Sequence, residues 1–235
     1  MADGKSGVLA DHDLAALFES SAITSESDLD SDQIQPASLD LRLGAVAYRI
    51  RASFLPGGTR SVDDVLKVPG TELHRIELTA QGAVLETGCV YLVPLQEALK
   101  LPAGISGRAN PKSSTGRIDV FTRVVTNQSK AFDDVPSNYA GPLWLEISPR
   151  TFPILVRPGD RLAQLRLRRE HSADTSEETV SIDLDKPQGQ PVGWRAKRHG
   201  GLIDLRAIGK HDVHEFWEPL YARGGRLILD PEEFY

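Results

Sequence analysis

In Ser38-Leu39-Asp40-Leu41-Arg42-Leu43 the apolar residues occupy every second position. That period puts the three leucines on one face of a strand and Ser38, Asp40 and Arg42 on the other, and it does not fit a helix. Pro36 before the run and Gly44 after it are natural bounds. Short β-like runs recur at 45–50, 75–78, 83–86, 90–95, 118–126, 143–148, 154–156 and 161–168. Turns are expected at Pro56-Gly57-Gly58, from Leu101 to Ile105, and at Pro158-Gly159-Asp160. The 15 prolines and 20 glycines are spread along the chain and punctuate these runs. Many short strands at such spacing predict a mainly β barrel or sandwich.

Helical spacing is confined to short stretches. Residues 8–23 read as an amphipathic helix, with Asp11 or Asp13 to cap it and Leu14, Leu17 and Phe18 on one face. One helical turn is expected at 61–67, and a longer helix at 207–222, with Val213, Phe216, Trp217 and Leu220 on a face. Residues 25–32 and 127–138 read as polar loops, and so does the acidic stretch His171–Glu178. The division predicted is one domain over 1–185, followed by 186–235 as linker, helix and the start of a second, truncated repeat. The run Leu227 to Tyr235 loosely echoes Ala83 to Tyr91, which points to that repeat; chance similarity between two short β segments is the alternative.

Of the 235 residues, 40% are hydrophobic and 26% charged, which suits an ordinary folded core. A net charge of −6 argues against nucleic acid as a partner. No run approaches the roughly 18 apolar residues of a membrane span. The start, Met1-Ala2-Asp3-Gly4-Lys5, lacks a signal-peptide layout, so a cytoplasmic location is expected. Cys89 is the one cysteine, which excludes an internal disulfide and a multi-cysteine zinc site. His211 and His214 share a helical face without a third ligand, and they read as surface residues.

Chemistry concentrates in two places. Asn110-Pro111-Lys112-Ser113-Ser114-Thr115-Gly116-Arg117 sets hydroxyls and backbone amides between two cations, which is equipment for oxyanions. The same residues also suit a capped surface turn with solvated charges. In Leu143-Trp144-Leu145-Glu146-Ile147-Ser148, strand alternation puts Glu146 on the same face as the Trp144 indole. A carboxylate beside apolar surface suits general acid/base work, although a solvent-facing strand Glu reads the same way. Tyr139, two residues before Gly141, can present a ring to a base or sugar, or pack at the strand entry.

Four runs then occur in order: Ser38 to Gly44, Lys112 to Arg117, Tyr139 to Glu146, and Pro158-Gly159-Asp160-Arg161-Leu162-Ala163-Gln164-Leu165. Together they resemble the dCTP deaminase branch of the dUTPase-like superfamily, over roughly residues 30–170. Gln35 to Asp40 and Asn110 to Arg117 are most similar to a longer, two-repeat bacterial form. The resemblance implies a dUTPase-like distorted β-barrel, of β-clip or jelly-roll type, with a few short helices. It implies deamination of dCTP to dUTP and ammonia without zinc, which agrees with the missing His-x-Glu and Cys-x-x-Cys pattern. Glu146 would be the base that activates water. Ser113 would orient the water or the pyrimidine, and Arg117 would position the ring. Lys112 and Ser114 would hold phosphates, with Mg²⁺ carried on the phosphate oxygens and no metal site of the protein's own. Tyr139 and Gln164 would contact the nucleotide. Sites between subunits or repeats, in a trimer or pseudo-trimer, follow from the same resemblance. Pro136-Ser137-Asn138 stands where the diphosphatase branch has its Asp, which counts against dUTP diphosphatase. That activity and a non-catalytic nucleotide-binding half of a two-repeat enzyme are the alternatives.

Overall fold

The computed structural model describes residues 6–169, 182–187 and 189–235. Its elements in chain order are β1 (Gly7–Val8), α1 (Asp11–Glu19), β2 (Ile23–Ser25), β3 (Ile34–Gln35), β4 (Ser38–Arg42), β5 (Val46–Ile50), α2 (Val62–Leu66), β6 (Glu72–Glu77), β7 (Ala83–Leu85), β8 (Val90–Lys100), β9 (Ile105–Pro111), α3 (Ser113–Gly116), β10 (Val120–Thr126), β11 (Asp134–Val135), β12 (Ala140–Pro149), β13 (Ile154–Val156), β14 (Arg161–Arg169), β15 (Gly193–Ala196), β16 (Ile203–Asp204), α4 (Val213–Phe216) and β17 (Trp217–Leu220). The acidic stretch His171–Glu178 lies outside the described residues.

Two larger sheets carry the molecule. One runs β11-β9-β14-β4-β3 with β1 beside β14, and the other β10-β12-β8-β5-β6 with β2 beside β8. Neither order returns on itself among the described residues, so the expected barrel takes the form of two open sheets sharing one core. Leu39, Leu41 and Leu165 from the first sheet meet Val93, Val124 and Leu145 from the second in that core. Burying each such side chain stabilises the fold by about 1.5–3 kcal/mol. Short sheets β16-β13-β7 and β15-β17 complete the fold.

The alternation that opened the sequence is present in β4, but its polar face is not solvated. Ser38, Asp40 and Arg42 are as buried as the leucines. Arg42 reaches between the sheets, donating through Nε to Glu97 Oε1 at 2.9 Å and through its other nitrogens to Asp28 O, Ser25 Oγ and Ser27 O. Gln33 Nε2 donates to the same Glu97 oxygen at 2.8 Å and to Asp40 O at 2.9 Å. Buried polar groups persist only when bonded, and the 25–33 segment supplies those bonds.

Three local expectations change. Helix α1 is shorter than 8–23; Asp13 accepts from the Ala10 N–H at 3.3 Å and sets its start. Strand β9 lies in a stretch whose Gly107, Arg108 and Asn110 disfavour strands. It forms because β14 and β11 flank it and because Gly107 leaves room: a Cβ there would meet Leu167 at 2.9 Å. The helix expected over 207–222 is one turn, α4, followed by strand β17, and 226–229 is not a strand. Pro219 cannot continue a helix, and Trp217 pairs with Ala196 instead.

The 193–235 segment packs on the same core. Phe152, fully buried, meets Phe216 and Trp217 edge-on at 5.5 and 5.7 Å between ring centroids. Ile203 pairs in parallel with Ile154. Arg157 grips Asp204 with both terminal nitrogens, at 2.6 and 2.9 Å. No helix among the described residues is long and apolar enough to cross a membrane.

Candidate active site

The run Lys112 to Arg117 folds as one short helical turn at the end of β9. Thr115 is its buried foot, donating from Oγ1 to Leu162 O at 2.9 Å, while the Lys112 N–H donates to the same carbonyl at 2.9 Å. The amides of Thr115 and Gly116 bond back to Lys112 O, and that of Arg117 to Ser113 O. Those three amides are occupied within the turn, and the Ser113 and Ser114 side chains stand at its start. Ser113, Ser114 and Arg117 are exposed.

The turn separates two cavities. On one side a polar cavity of about 1000 Å³ is bordered by Lys112, Ser114, Asp40, Arg161, Arg206 and Asp160, among others. On the other, an apolar cavity of about 590 Å³ is bordered by Ser113, Gly116 and Arg117 together with Trp194, Trp217 and Phe234. The sequence grouped four residues of one motif; the fold sends them to two sides of one turn.

The polar cavity is a mesh of ion pairs. Lys112 Nζ bonds Asp40 Oδ2, and Asp40 is almost wholly buried. Arg161 lies 2.8 Å from Asp32 and 3.7 Å from Asp40. The Arg161 hydrogen bond holds the Asp32 carboxyl below the usual range. Arg206 Nε donates to Asp160 Oδ1 at 2.5 Å. Asp40 Oδ1 is buried, with no hydrogen-bond partner among the described residues. Gln164 stands in register between Asp40 and Asn110, and its Oε1 accepts from Ser38 Oγ at 3.2 Å.

Glu146 belongs to other surroundings. It is buried on β12, opposite Arg123 of β10. Arg123 donates to Glu146 Oε1 through Nε at 2.9 Å and Nη2 at 2.5 Å, and Nη2 also donates to Ser53 Oγ at 2.6 Å. The guanidinium lies over the Phe132 ring, 3.7 Å from its centroid. Trp144, on the same face of β12, packs with Leu92, Val125 and Ile50 in a second apolar cluster. Alternation had placed Glu146 beside that indole, but nothing in the sequence singled out Arg123. Its signal is the register Arg123↔Glu146, which only pairing of the strands reveals. Glu146 borders neither cavity beside α3.

Tyr139 corrects the idea of a free stacking ring. Its side chain is buried in the main core; its hydroxyl donates to Pro142 O at 2.6 Å and accepts from the Asn127 N–H at 3.1 Å. Burial pushes the phenol above its ordinary value. Its role within the chain is to fix the entry to β12, where a bulge separates Pro142 from Trp144. Asp133, close to the position of the diphosphatase-branch Asp, accepts from the Val124 N–H at 2.7 Å, and burial raises its carboxyl.

Comparison with known proteins agrees with this architecture. Residues 5–171 match the family model of the 2′-deoxycytidine 5′-triphosphate deaminase N-terminal domain, and residues 159–235 match that of the C-terminal domain. A "dCTP deaminase, dUMP-forming" of Acidothermus cellulolyticus is 28% identical over 188 residues, 79% of this chain and 86% of the relative. One of Thermobifida fusca is 31% identical over 160 residues, 67% and 76% of the two chains. The crystal structure of 2′-deoxycytidine 5′-triphosphate deaminase from Agrobacterium tumefaciens superposes with a TM-score of 0.90 at 50% identity, covering 98% of this chain and 75% of that one. The fold is thus the mainly β fold of a solved deaminase, two open sheets over one core. Within that fold class, the chain belongs to the 2′-deoxycytidine 5′-triphosphate deaminase family.

Proposed function

We propose that this chain hydrolytically deaminates dCTP at C4 of the cytosine, with Glu146 as the base. The observation that carries the assignment is the buried Glu146 carboxylate, held through one oxygen by Arg123 in a chain of this family. Both Arg123 bonds fall on Oε1, and Oε2 accepts the proton of the attacking water. Hydroxide adds to C4 as the C4–N3 π-electrons move onto N3, Glu146 returns the water's proton to the amino group, the C4–N bond breaks to release ammonia, and the remaining hydroxyl proton passes to N3, which leaves the C4 carbonyl. Arg123 keeps the carboxylate in place throughout.

Ser113 and Arg117 orient the water and the ring, while Lys112 and Ser114 hold the triphosphate, with Gln164 beside them. Glu146 and the α3 side chains have separate surroundings in one chain, which supports a site assembled between copies or repeats, in a trimer or a pseudo-trimer. Mg²⁺ enters as the counterion of the triphosphate. Among the described residues no group of three or more His, Cys, Asp or Glu is placed to hold a metal alone. A nucleotide-borne ion fits this reading, because phosphate oxygens complete its shell and the cavity lined by Lys112 and Asp40 takes the tail that carries it. Residues 186–235 read as a segment that completes the deaminase domain.

The relatives named as dUMP-forming favour a second reading of the product: loss of pyrophosphate follows deamination. The test is incubation with dCTP and Mg²⁺, with ammonia, dUTP, dUMP and pyrophosphate measured together. Ammonia with dUTP supports simple deamination, and ammonia with dUMP and pyrophosphate supports the two-step reaction. Pyrophosphate without ammonia overturns the deaminase assignment.

A further inference from the structure

One wall of the apolar cavity beside α3 is built by residues that the four ordered motifs do not include. Trp194 lies on β15, Trp217 on β17, and Phe234 and Tyr235 follow; the opposite wall is Ser113, Gly116 and Arg117. The aromatic wall is held in place. Trp217 and Phe234 rings sit 5.6 Å apart, Trp194 lies 5.9 Å from the His214 ring, and the Tyr235 hydroxyl accepts from the Asp230 N–H at 2.8 Å. Arg195 and Glu218 tie β15 to β17 by an ion pair. At about 590 Å³ the cavity has the size of a small-molecule site.

Its chemistry selects among occupants. Of the described side chains bordering it, Arg117 is charged and none is acidic. No side chain there offers an organic cation a counter-charge. An aromatic ring attached to an anion finds π-faces to stack on and a guanidinium at the rim. The other side of the same turn carries Lys112, Ser114, Arg161 and Arg206. A four-residue helix is only about 6 Å long. One face of α3 thus addresses an apolar ring, and the other addresses an anionic tail.

We infer that Trp194 and Trp217 form a stacking platform for the pyrimidine of the nucleotide, so that the 193–235 segment determines how tightly the base is held. This rests on the deaminase reading and extends it to residues beyond the motif positions. Stacking a base on an aromatic side chain is sequence-tolerant and strong enough for its loss to weaken binding about tenfold or more.

Gly116 supplies a variant that leaves the wall intact. A Cβ added there meets nothing within 4 Å among the described residues, and its φ is not in the left-handed region, so Gly116→Leu places bulk at the border of the cavity without a backbone or Cβ clash. The experiment titrates the full chain with dCTP and with inorganic tripolyphosphate, reading tryptophan emission and steady-state kinetics. Trp144 is present in the parent and in both variants, so the Trp194-dependent signal is read as the difference between them. The expected result is saturable quenching by dCTP and not by tripolyphosphate, reduced in Trp194→Leu. The dCTP KM rises about tenfold or more in Trp194→Leu and Gly116→Leu, with kcat within about threefold and an unchanged circular dichroism spectrum. Quenching and KM left at the parent values in both folded variants overturn the platform, while deamination stands. Trp194-dependent quenching without ammonia release from any form supports the platform and overturns the deaminase reading instead.

Discussion

Arg123 and Glu146 face each other across adjacent strands, and the guanidinium bonds the same carboxylate oxygen twice, at 2.9 and 2.5 Å. The pair is nearly dry on the Glu146 side, whose side chain is 3% exposed. A buried carboxylate with one cationic partner is costly to leave alone, so the two residues separate by substitution. Glu146→Gln keeps the shape and removes the base. Ammonia release should fall about 10²-fold or more while dCTP binding stays within a few-fold. Arg123→Met strands the charge and should cost about 3 kcal/mol in urea unfolding, much of it recovered in the Arg123→Met/Glu146→Leu pair.

Lys112 is read out twice. Its ammonium bonds the buried Asp40 and borders the cavity assigned to the triphosphate. Lys112→Met should raise the dCTP KM about tenfold, the worth of one charge-assisted contact. It should also lower stability without nucleotide, because Asp40 keeps only Arg161 at 3.7 Å. A KM change with no loss of stability would show that the Asp40 contact carries no weight.

Tyr139 should behave as a structural residue. Tyr139→Phe removes a donor to Pro142 O and an acceptor for the Asn127 N–H. The expected cost is about 1–3 kcal/mol in thermal or urea unfolding, with the dCTP KM within about twofold. A large rise in KM at unchanged stability would return the ring to the nucleotide.

Asp204 gives the 193–235 segment an acid limit. The Arg157 hydrogen bonds lower its carboxyl from 3.8 to about 2. The folded value is below the unfolded one, so this contribution is complete above about pH 4 and is lost as pH falls toward 2. Asp204→Asn should therefore lower the melting temperature at pH 7, with the difference from the parent shrinking between pH 4 and 2. A difference independent of pH across that window would mean that the ion pair is not its source.

Much of the strand content was readable, because alternation and turn residues are local: Ser38–Arg42, Ile154–Val156 and the Ser61-capped turn α2 all fall where the pattern put them. Helix 207–222 was misread because Val213, Phe216, Trp217 and Leu220 do have helical spacing. Pro219 and pairing with β15 overrode it. Site residues were legible as types within motifs, but their surroundings were not. Ser113 and Ser114 are neighbours in the chain, yet one borders an apolar cavity and the other a charged one.

The sequence alone determined a strand-rich chain, the Glu146–Trp144 face and the hydroxyl-and-cation turn from Lys112 to Arg117, since each depends on residues a few positions apart. Tertiary structure alone decided that Arg123 partners Glu146, that Asp40 is buried against Lys112, and that aromatic residues after 190 wall one side of α3. Those relationships join residues distant in the chain, and strand register and burial, which no local pattern encodes, bring them into contact.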